Sequence, residues 1–517
     1  MLITRRTAIK SALAAPFVVT TPHAFAQTDR RPTLTVAVAE LPKVLEPALE
    51  LNNVGTRVTY SVFDTMIRRD FLGSRDGGGA ALKPHVAESW QRVGPQELVV
   101  RLRRGVKFHN GDELTADDVA YTFREGRLWG EKPQIAGGRA FFGVLSSVEP
   151  VDTYTVRFKT RVPDVLLEQR LASWCSWVVN KRHYESVGLE GFSRNPVGSG
   201  PFRFVSMRAN EHMIFDAFDD YWMGRPNARR VVFREVPELA ARIAGLVSGE
   251  FDLITNVPPD QLQVLQGYRD IDARSVVLAN SHLLTFDARG PQTGDKRIRQ
   301  ALACSIDRKK LVDTLWLGKA VIPASHNYPE YGPMYLEGRS LPFDRERAKR
   351  LLREAGYKGE PITYRTLPNY YTAALDAAQI IVEMWKEVGI DARLQVVESF
   401  QQMQAKGQQV GNTSNSTRFP DPLGALWISW GPASEFQRAG AFTDAETFNA
   451  AGRALEAETD SAKRRELFAK MLDSWEDACP GTILYQPFET YGVKSKVNWR
   501  PYSFFFMDLR ADNLSFA

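Results

Sequence analysis

The sequence predicts an α/β protein that is large enough for more than one domain. Three observations support this: the length of 517 residues, a strand-turn-helix segment near residue 100, and alternating helices and strands after residue 344. At about 150 residues per domain, the length corresponds to roughly three domain-sized units. The composition is ordinary for a globular protein, with 44% hydrophobic and 25% charged residues.

The first 26 residues are typical of an export signal that is removed from the mature protein. Arg5 and Arg6 lie in a basic start that resembles a twin-arginine signal, with Ala8 where that pattern prefers Phe. The general secretory route is the alternative. A small-residue cleavage site ends at Ala26, and no Cys follows it at once. We therefore expect a free periplasmic protein without a lipid anchor.

The charge of the chain argues against two classes of partner. The formal net charge is +5, and the predicted signal carries three positive charges and no negative ones, which leaves +2. That excess is too small to indicate binding to nucleic acid or to an anionic membrane. After the N-terminal segment, no run reaches the roughly 18 apolar residues of a membrane span.

The segment from residue 97 to residue 124 is the most informative part of the chain. Leu98, Val100 and Leu102 alternate along one face of a predicted strand. Two turns follow, at residues 104–105 and 110–111. Thr115 then has the features of a helix N-cap, and Asp118 occupies the position of its capping-box partner.

The literal sequence of this segment identifies a family. RRGVKFHNG at residues 103–111, followed by LTADDV at residues 114–119, closely resembles the signature of the peptide/nickel/opine family of solute-binding proteins, the receptors of ABC importers. The resemblance covers nearly all of the chain after residue 33. It implies an α/β, two-lobed periplasmic-binding-protein fold with an extra subdomain in lobe 1 and a hinge of two crossovers.

The resemblance also implies the division of the chain. Residues 1–26 are the signal, residues 27–280 are lobe 1 with an inserted subdomain at about 66–185, residues 281–484 are lobe 2, and residues 485–517 return to lobe 1. The crossovers are expected near Ser281–Asp287 and Thr482–Glu489. Among the elements that periodicity predicts are helices at Val58–Ile67, Glu238–Gly249 and Thr372–Val388.

Motifs for catalysis, cofactors and metals are absent from the sequence. It contains no His-Glu-x-x-His, no Walker A motif and no Gly-x-Gly-x-x-Gly. Its seven His residues are scattered, and Cys175, Cys304 and Cys479 have no metal-ligand spacing. The cysteines are predicted to be buried thiols, although an oxidising compartment would permit one disulfide bridge. We predict no catalytic residues, no cofactor and no metal. An exported hydrolase remains the alternative, because catalytic triads assemble in space and not in sequence.

The segment Val410–Trp430 resembles the ligand-binding loop of the family through Asp421-Pro422. Peptide-binding members typically have a Trp seven residues before that Pro and, four before it, an Asp that receives the α-ammonium of the ligand. Here Asn415 and Arg418 occupy these positions. Arg418 is either a solvated or Asp421-paired charge, or a cation that faces the ligand. In the second case Asp421 holds the guanidinium in place or receives a displaced ammonium.

Three further residues complete the predicted site. Tyr370 and Tyr371 precede a long helix of lobe 2, and Glu46 lies in a loop that can line the cleft in this family. The resemblance implies a periplasmic receptor, monomeric, that captures a small solute and delivers it to an ABC permease and its ATPase. The ligand is predicted to be a peptide or a related, amino-acid-derived solute, which includes anionic ones such as opines.

Overall fold

The structure is a computed structural model that describes residues 29–74, 77–368, 370–405 and 407–517. The predicted export signal and its cleavage site lie outside these residues. Within the described residues, no helix is both long enough and apolar enough to cross a membrane.

Strands and helices alternate through most of the described chain. The strands are β1 (Thr33–Val38), β2 (Ile67–Arg69), β3 (Leu82–Pro84), β4 (Ala87–Gly94), β5 (Glu97–Leu102), β6 (Leu145–Asp152), β7 (Thr155–Thr160), β8 (Phe202–Arg208), β9 (His212–Ala217), β10 (Arg230–Glu235), β11 (Leu253–Ile254), β12 (Ile271–Val277), β13 (Asn280–Phe286), β14 (Ile362–Thr366), β15 (Ala392–Val396), β16 (Val410–Ser416), β17 (Gly481–Tyr485), β18 (Phe488–Lys494), β19 (Val497–Trp499) and β20 (Leu514–Phe516).

The helices are α1 (Asn53–Thr59), α2 (Ala116–Thr122), α3 (Arg139–Phe142), α4 (Leu167–Leu171), α5 (Lys181–Arg194), α6 (Leu239–Ser248), α7 (Leu262–Gln266), α8 (Lys296–Cys304), α9 (Arg308–Leu315), α10 (Arg345–Ala355), α11 (Ala374–Lys386), α12 (Phe400–Gln404), α13 (Ile428–Trp430), α14 (Glu435–Arg438), α15 (Glu446–Ala457) and α16 (Ser461–Ala478). Short 3₁₀ turns cover Ala136–Gly138, Pro259–Gln261 and Pro329–Met334, and a π-helical turn covers Leu423–Trp427.

Lobe 1 is built on a seven-stranded sheet in the order β12-β18-β11-β1-β10-β9-β8. Its central strand β1 is parallel to both neighbours. Leu34 and Val36 face the main hydrophobic core, whereas Ala37 faces a smaller core around Leu246 and Ile254. Apolar side chains are therefore needed on both faces, as is usual for strands of parallel sheets.

A four-stranded sheet in the order β4-β5-β7-β6 carries the family-like segment of lobe 1. The predicted alternation is confirmed, because Leu98, Val100 and Leu102 are buried in β5. The predicted capping box is also present: the backbone N–H of Thr115 donates to Asp118 Oδ2 at 2.9 Å. This sheet and the helix that follows it therefore form as local periodicity predicts.

The predicted helix at Val58–Ile67 is wrong in extent. Helix α1 ends at Thr59, and β2 begins at Ile67. Every residue from 58 to 67 is buried. The apolar spacing of this segment therefore reflects a core that surrounds it, and not one face of a helix. By contrast, α6 and α11 match the predicted helices to within about two residues at each end.

Lobe 2 is built on a five-stranded sheet in the order β15-β14-β16-β13-β17. Strands β15 and β16 both run parallel to β14, one on each side of it. Helix α11 joins β14 to β15, and the chain then returns to the other side of β14 as β16. The direction of strand addition therefore reverses at β14. The loops after β14 and β16 leave the sheet at the same edge.

The chain passes between the two sheets twice. Leu278 and Ala279 separate β12 of the larger sheet from β13 of the smaller one, and Gln486 and Pro487 separate β17 from β18. The backbone N–H of Leu278 donates to Pro487 O at 2.9 Å, which holds the two passages side by side. β13 follows the first passage, so Ser281 belongs wholly to the smaller sheet. The exact domain boundaries stay a prediction.

Candidate ligand-binding site

Two loops at the carboxyl edge of the lobe 2 sheet bring most of the predicted site residues together. The loop after β14 carries Tyr370 and Tyr371, and the loop after β16 carries Arg418 and Asp421. Both loops lie at a point where strand order reverses, and ligands of open α/β sheets commonly bind outside the carboxyl ends of strands at such a point. The sheet topology therefore favours this edge as a binding site.

One side of the Arg418 guanidinium is held by neutral oxygen atoms of lobe 2. Arg418 Nη1 donates to Asn415 Oδ1 at 3.3 Å, to the carbonyl oxygen of Ser416 at 3.2 Å and to Ser429 Oγ at 3.1 Å. None of these three acceptors is charged. They orient the guanidinium without neutralising it.

The opposite edge of the guanidinium has no anionic partner in the part of the chain that the structure describes. Arg418 Nε is buried without a hydrogen bond, and no carboxylate of the described residues pairs with this side chain or influences its protonation. Burial lowers the pKa of Arg418 to about 10, so the group stays protonated at neutral pH. The Nε–Nη2 edge of an arginine can bind a carboxylate or phosphate through two hydrogen bonds.

Lobe 1 covers Arg418 with aromatic rings and hydrogen-bond donors. The guanidinium carbon lies 5.3 Å from the ring centroid of Trp174 and 5.9 Å from that of Phe141. The carbonyl oxygen of Arg418 accepts hydrogen bonds from Ser173 Oγ at 3.1 Å and from Arg69 Nη1 at 3.4 Å. Arg418 thus contacts both lobes, which meet at this residue in the structure.

Asp421 is not the partner of Arg418, and that alternative is wrong. Asp421 Oδ2 accepts a hydrogen bond at 2.8 Å from Nη2 of Arg464, in a pair that is almost fully buried. Its Oδ1 accepts from the backbone N–H of Leu423 at 2.9 Å, at the start of the π-helical turn. Burial raises the pKa of Asp421. In this structure the carboxylate stabilises the loop, and its predicted contact with a ligand stays untested.

Glu46 is also engaged in an ion pair inside the protein. It is fully buried, and its Oε1 accepts a short hydrogen bond from Arg127. Its Oε2 accepts from the backbone N–H of Ala48 at 2.7 Å. These contacts give Glu46 a structural role in the loop before α1. Its role as a ligand contact stays a prediction.

Asn415 connects Arg418 to the interior of lobe 2. Its Oδ1 accepts from Arg418, and its Nδ2 lies 3.3 Å from His326 Nδ1 and donates to Ala425 O at 3.3 Å. Burial lowers the pKa of His326 to about 3, so the imidazole is neutral. Asn415, at the position where the peptide-binding members typically have a Trp, therefore holds the Arg418 side chain against the interior of lobe 2.

The two predicted tyrosines line the same edge. The Tyr370 hydroxyl lies 3.1 Å from Ser414 Oγ on β16. The Tyr371 ring stacks on the imidazole of His282, with centroids 3.6 Å apart and planes inclined by 20°. The Tyr370 contact brings the loop after β14 against strand β16, which leads into the loop that carries Arg418.

Sequence reasoning missed the lobe 1 side of the site. Arg69, Phe141, Ser173 and Trp174 reach Arg418 from elements more than 240 residues away along the chain. No sequence motif identifies these residues, because they come from a strand, a helix and a loop that meet at Arg418 only in the folded protein. Cys175, Cys304 and Cys479 are buried, as predicted, and none of them is paired. Among the described residues, no cluster of His, Cys, Asp and Glu could hold a metal ion.

Comparison with known proteins places the chain in a family. The sequence model described as "Bacterial extracellular solute-binding proteins, family 5 Middle" matches residues 81–437. The oligopeptide-binding protein AppA of Bacillus subtilis (strain 168) is 26% identical over 342 residues, which cover 61% of each chain. The chain thus matches less than two thirds of the length of that relative.

Two solved structures show the same fold over nearly the whole chain. A dipeptide-binding protein from Pseudoalteromonas sp. SM9913, in complex with Met-Leu, has a TM-score of 0.84 at 20% identity and covers 94% of this chain and 100% of its own. AgaA from A. tumefacien R10, in complex with agropinic acid, has a TM-score of 0.79 at 21% identity, with coverage of 94% and 99%. The predicted two-lobed fold is confirmed. The chain belongs to the bacterial extracellular solute-binding proteins of family 5.

Proposed function

We propose that this protein is the periplasmic receptor of an ABC importer and captures a small solute that carries an acid group. The observation that supports this most directly is the protonated, partly buried guanidinium of Arg418, which lies between the lobes and has no anionic partner among the residues that the structure describes. A carboxylate of the solute would bind its Nε–Nη2 edge. The neutral acceptors on Nη1 would keep that edge in position.

The surroundings of Arg418 make such a contact strong. Charges attract more strongly as the effective dielectric falls, and the rings of Trp174 and Phe141 lie against the partly buried guanidinium when the lobes are in contact. The same effect opposes a cation. A peptide docked with its α-ammonium at this place would be repelled, so a peptide ligand must present its carboxylate, or another acceptor, to Arg418.

The names of similar proteins support a receptor and leave the ligand class open. AppA is an oligopeptide-binding protein, whereas AgaA was solved with agropinic acid. Because Arg418 replaces the acidic residue of peptide-binding members, we favour an anionic, amino-acid-derived solute over an ordinary peptide. A dissociation constant near 1 μM corresponds to a total binding free energy of about −8.2 kcal/mol, net of lobe closure.

The partners follow from this function. The closed receptor would act as a monomer and deliver the solute to a membrane permease whose ATPase subunits are cytoplasmic. The export signal would place it in the periplasm, with Gln27 as the first residue of the mature protein. N-terminal sequencing of the periplasmic fraction checks this, since a retained Met1 in that fraction would contradict cleavage. Continued export after Arg5 and Arg6 are both replaced by Lys would contradict the twin-arginine route.

Native mass spectrometry of protein purified from its own periplasm tests the proposed function. We expect the folded protein to carry a noncovalent small molecule with at least one acid group, and to release it unchanged on denaturation. Chemical conversion of that molecule during incubation would indicate the hydrolase alternative. A retained peptide whose carboxyl groups are all blocked would contradict the assignment of Arg418.

A further inference from the structure

The imidazole of His326 lies at one end of a chain of hydrogen bonds that leads to Arg418. It is fully buried, in the segment between α9 and the 3₁₀ turn Pro329–Met334. Its Nδ1 lies 3.3 Å from Asn415 Nδ2, and Asn415 Oδ1 lies 3.3 Å from Arg418 Nη1. A single amide therefore connects the histidine to the guanidinium, although Asn415 follows His326 by 89 residues in the sequence.

The neighbours of Asn415 fix the direction in which its amide points. Its Oδ1 accepts hydrogen bonds from Arg418 Nη1 and from Ser429 Oγ. Its Nδ2 donates to the carbonyl oxygen of Ala425 at 3.3 Å and faces His326 Nδ1. An amide has two N–H donors and an oxygen with two lone pairs, so all four are used here. If the amide were rotated by half a turn, its NH₂ group would meet the Arg418 donor and its oxygen would meet the Ala425 carbonyl.

This direction of the amide determines the tautomer of His326. Because Asn415 Nδ2 is a donor, the nitrogen that faces it must be an acceptor. A neutral imidazole has one acceptor nitrogen and one N–H, so Nδ1 is unprotonated and the proton lies on Nε2. Burial lowers the pKa of His326 to about 3, so the ring is neutral at neutral pH. A protonated ring would instead bring a second donor against Asn415.

Aromatic packing holds the imidazole in place as an acceptor. The ring of Trp475 lies nearly perpendicular to it, at 84° with centroids 4.6 Å apart, and the rings of Trp430 and Tyr328 also contact it edge-on. In perpendicular pairs the edge of one ring faces the π cloud of the other. Within the described residues, the contact with Asn415 is the only hydrogen bond of the His326 side chain.

We propose that His326 is a positioning residue of the acid-binding site. Its unprotonated Nδ1 holds the amide of Asn415, and that amide holds Nη1 of Arg418, so that the Nε–Nη2 edge of the guanidinium stays turned toward the acid group of the solute. The proposal rests on the proposed function, in which Arg418 binds that group. His326 acts through Asn415 and needs no contact with the solute.

The geometry of the contacts explains why one distant acceptor affects binding. A guanidinium binds a carboxylate through two parallel hydrogen bonds only when its plane is correctly oriented. Asn415 orients Arg418 directly, and it also accepts from the Ser429 hydroxyl, which is a second acceptor for Nη1. Removal of the His326 acceptor leaves a buried N–H of Asn415 without a partner, which is unfavourable. The amide is then less firmly held, and so is the guanidinium.

Nitrogen-15 NMR of the histidine side chains tests the tautomer directly. In protein purified with its copurifying solute, we expect the His326 signals of a neutral ring with the proton on Nε2, unchanged between about pH 6 and pH 8. The signals are assigned by their absence from His326→Asn. A proton on Nδ1, or a doubly protonated ring, would overturn the proposal, because neither form can accept from Asn415.

Calorimetry with the solute that denaturation releases from the parent protein measures the effect on binding. His326→Leu removes the acceptor, and its dissociation constant should rise by about three- to ten-fold. His326→Asn should restore most of the affinity, because its Oδ1 is attached to Cγ as Nδ1 is and can accept in its place. His183→Leu is the matched control, since it removes an imidazole hydrogen bond to Asn195 O in lobe 1, and it should bind as the parent does. Equal losses in His326→Leu and His326→Asn would overturn the proposal.

A double-mutant cycle separates positioning from a general effect on the fold. In the Arg418→Ala background, His326→Leu should change the dissociation constant by no more than about two-fold, because His326 acts through Arg418. The same loss in both backgrounds would show a role in the fold only and would overturn the proposal. A loss in Arg418→Ala without one in His326→Leu would also overturn it and would leave the acid-binding role of Arg418 intact. Unchanged affinity in both single variants would contradict both roles.

Discussion

Replacing Arg418 by alanine should weaken binding of the solute that copurifies with the protein and should leave the fold intact. The variant removes a charge-assisted contact from a site that the lobes shield from water. Truncation of one partner of such a buried pair typically costs about 2–5 kcal/mol. At about 1.4 kcal/mol for each ten-fold change, the dissociation constant should rise by about thirty-fold to a few thousand-fold.

The contacts of Arg418 explain why stability should change little. No carboxylate of the described residues loses a partner when the guanidinium is removed. Ser429 Oγ already donates to Asn415 Oδ1, so that oxygen stays hydrogen-bonded in the variant. The charge itself is disfavoured by burial, which lowers its pKa. If the Arg418 side chain only stabilised the fold, its replacement by alanine would instead lower the melting temperature.

Isothermal titration calorimetry and thermal melts on three proteins decide between these roles. The parent protein and Arg418→Ala are compared with Arg393→Ala, in which a guanidinium that is 68% exposed is removed from β15 of the same sheet. Only Arg418→Ala should lose affinity. If it binds as tightly as the parent, Arg418 is a scaffold charge and the reasoning is refuted, and an ordinary peptide becomes the favoured ligand.

The pH dependence of binding gives an independent check on the same residue. Because the pKa of Arg418 is about 10, its charge is constant across the neutral range. Affinity for an acid should therefore be unchanged between about pH 6 and pH 8. A decline of affinity within that range, with the protein still folded, would show that a different titrating group binds the acid.

Three further predictions concern stability and closure. Asp421→Ala should destabilise the protein by about 3–5 kcal/mol, because it leaves Arg464 buried without its partner; an unchanged melting temperature would contradict this. Ser173→Ala should raise the dissociation rate of the copurified solute by about two- to ten-fold, because it removes a hydrogen bond between the lobes. Small-angle scattering should show a larger radius of gyration for this variant with solute bound. If the dissociation rate and the radius of gyration both stay unchanged, the lobes do not close at Arg418. Acidification should destabilise the protein, because burial lowers the pKa of His85 to about 4 in the folded state. As pH falls below about 6.5, this histidine gains a proton in the unfolded chain before it does so in the folded protein. The free energy of unfolding therefore drops by up to about 1.4 kcal/mol per pH unit for this group. His85→Gln should make the decline of melting temperature between about pH 6 and pH 4.5 shallower; an identical slope would show that His85 does not titrate on unfolding.

Local sequence was sufficient to predict those helices and strands that bury only one face against the core. Helix α10 (Arg345–Ala355) is capped at its start by Asp344, whose side chain accepts from the backbone N–H of Arg347, and is followed by Gly356 in the left-handed conformation. Its apolar positions recur at helical spacing, so periodicity and capping agree. The segment 58–67 failed the same reasoning, since its residues are buried on every side and periodicity then carries no information about the direction of the core.

The sequence by itself determined the family, the α/β class and the replacement of an acidic residue by Arg418 in the ligand loop. These features are local strings or local periodicities, which the chain carries whatever its tertiary contacts. The tertiary structure alone decided that Asp421 pairs with Arg464 and that Arg418 has no anionic partner among the described residues. It also brought Ser173 and Trp174 to Arg418. Such facts depend on which distant side chains share a space, and the partner of a buried group such as Asp421 can lie anywhere along the chain.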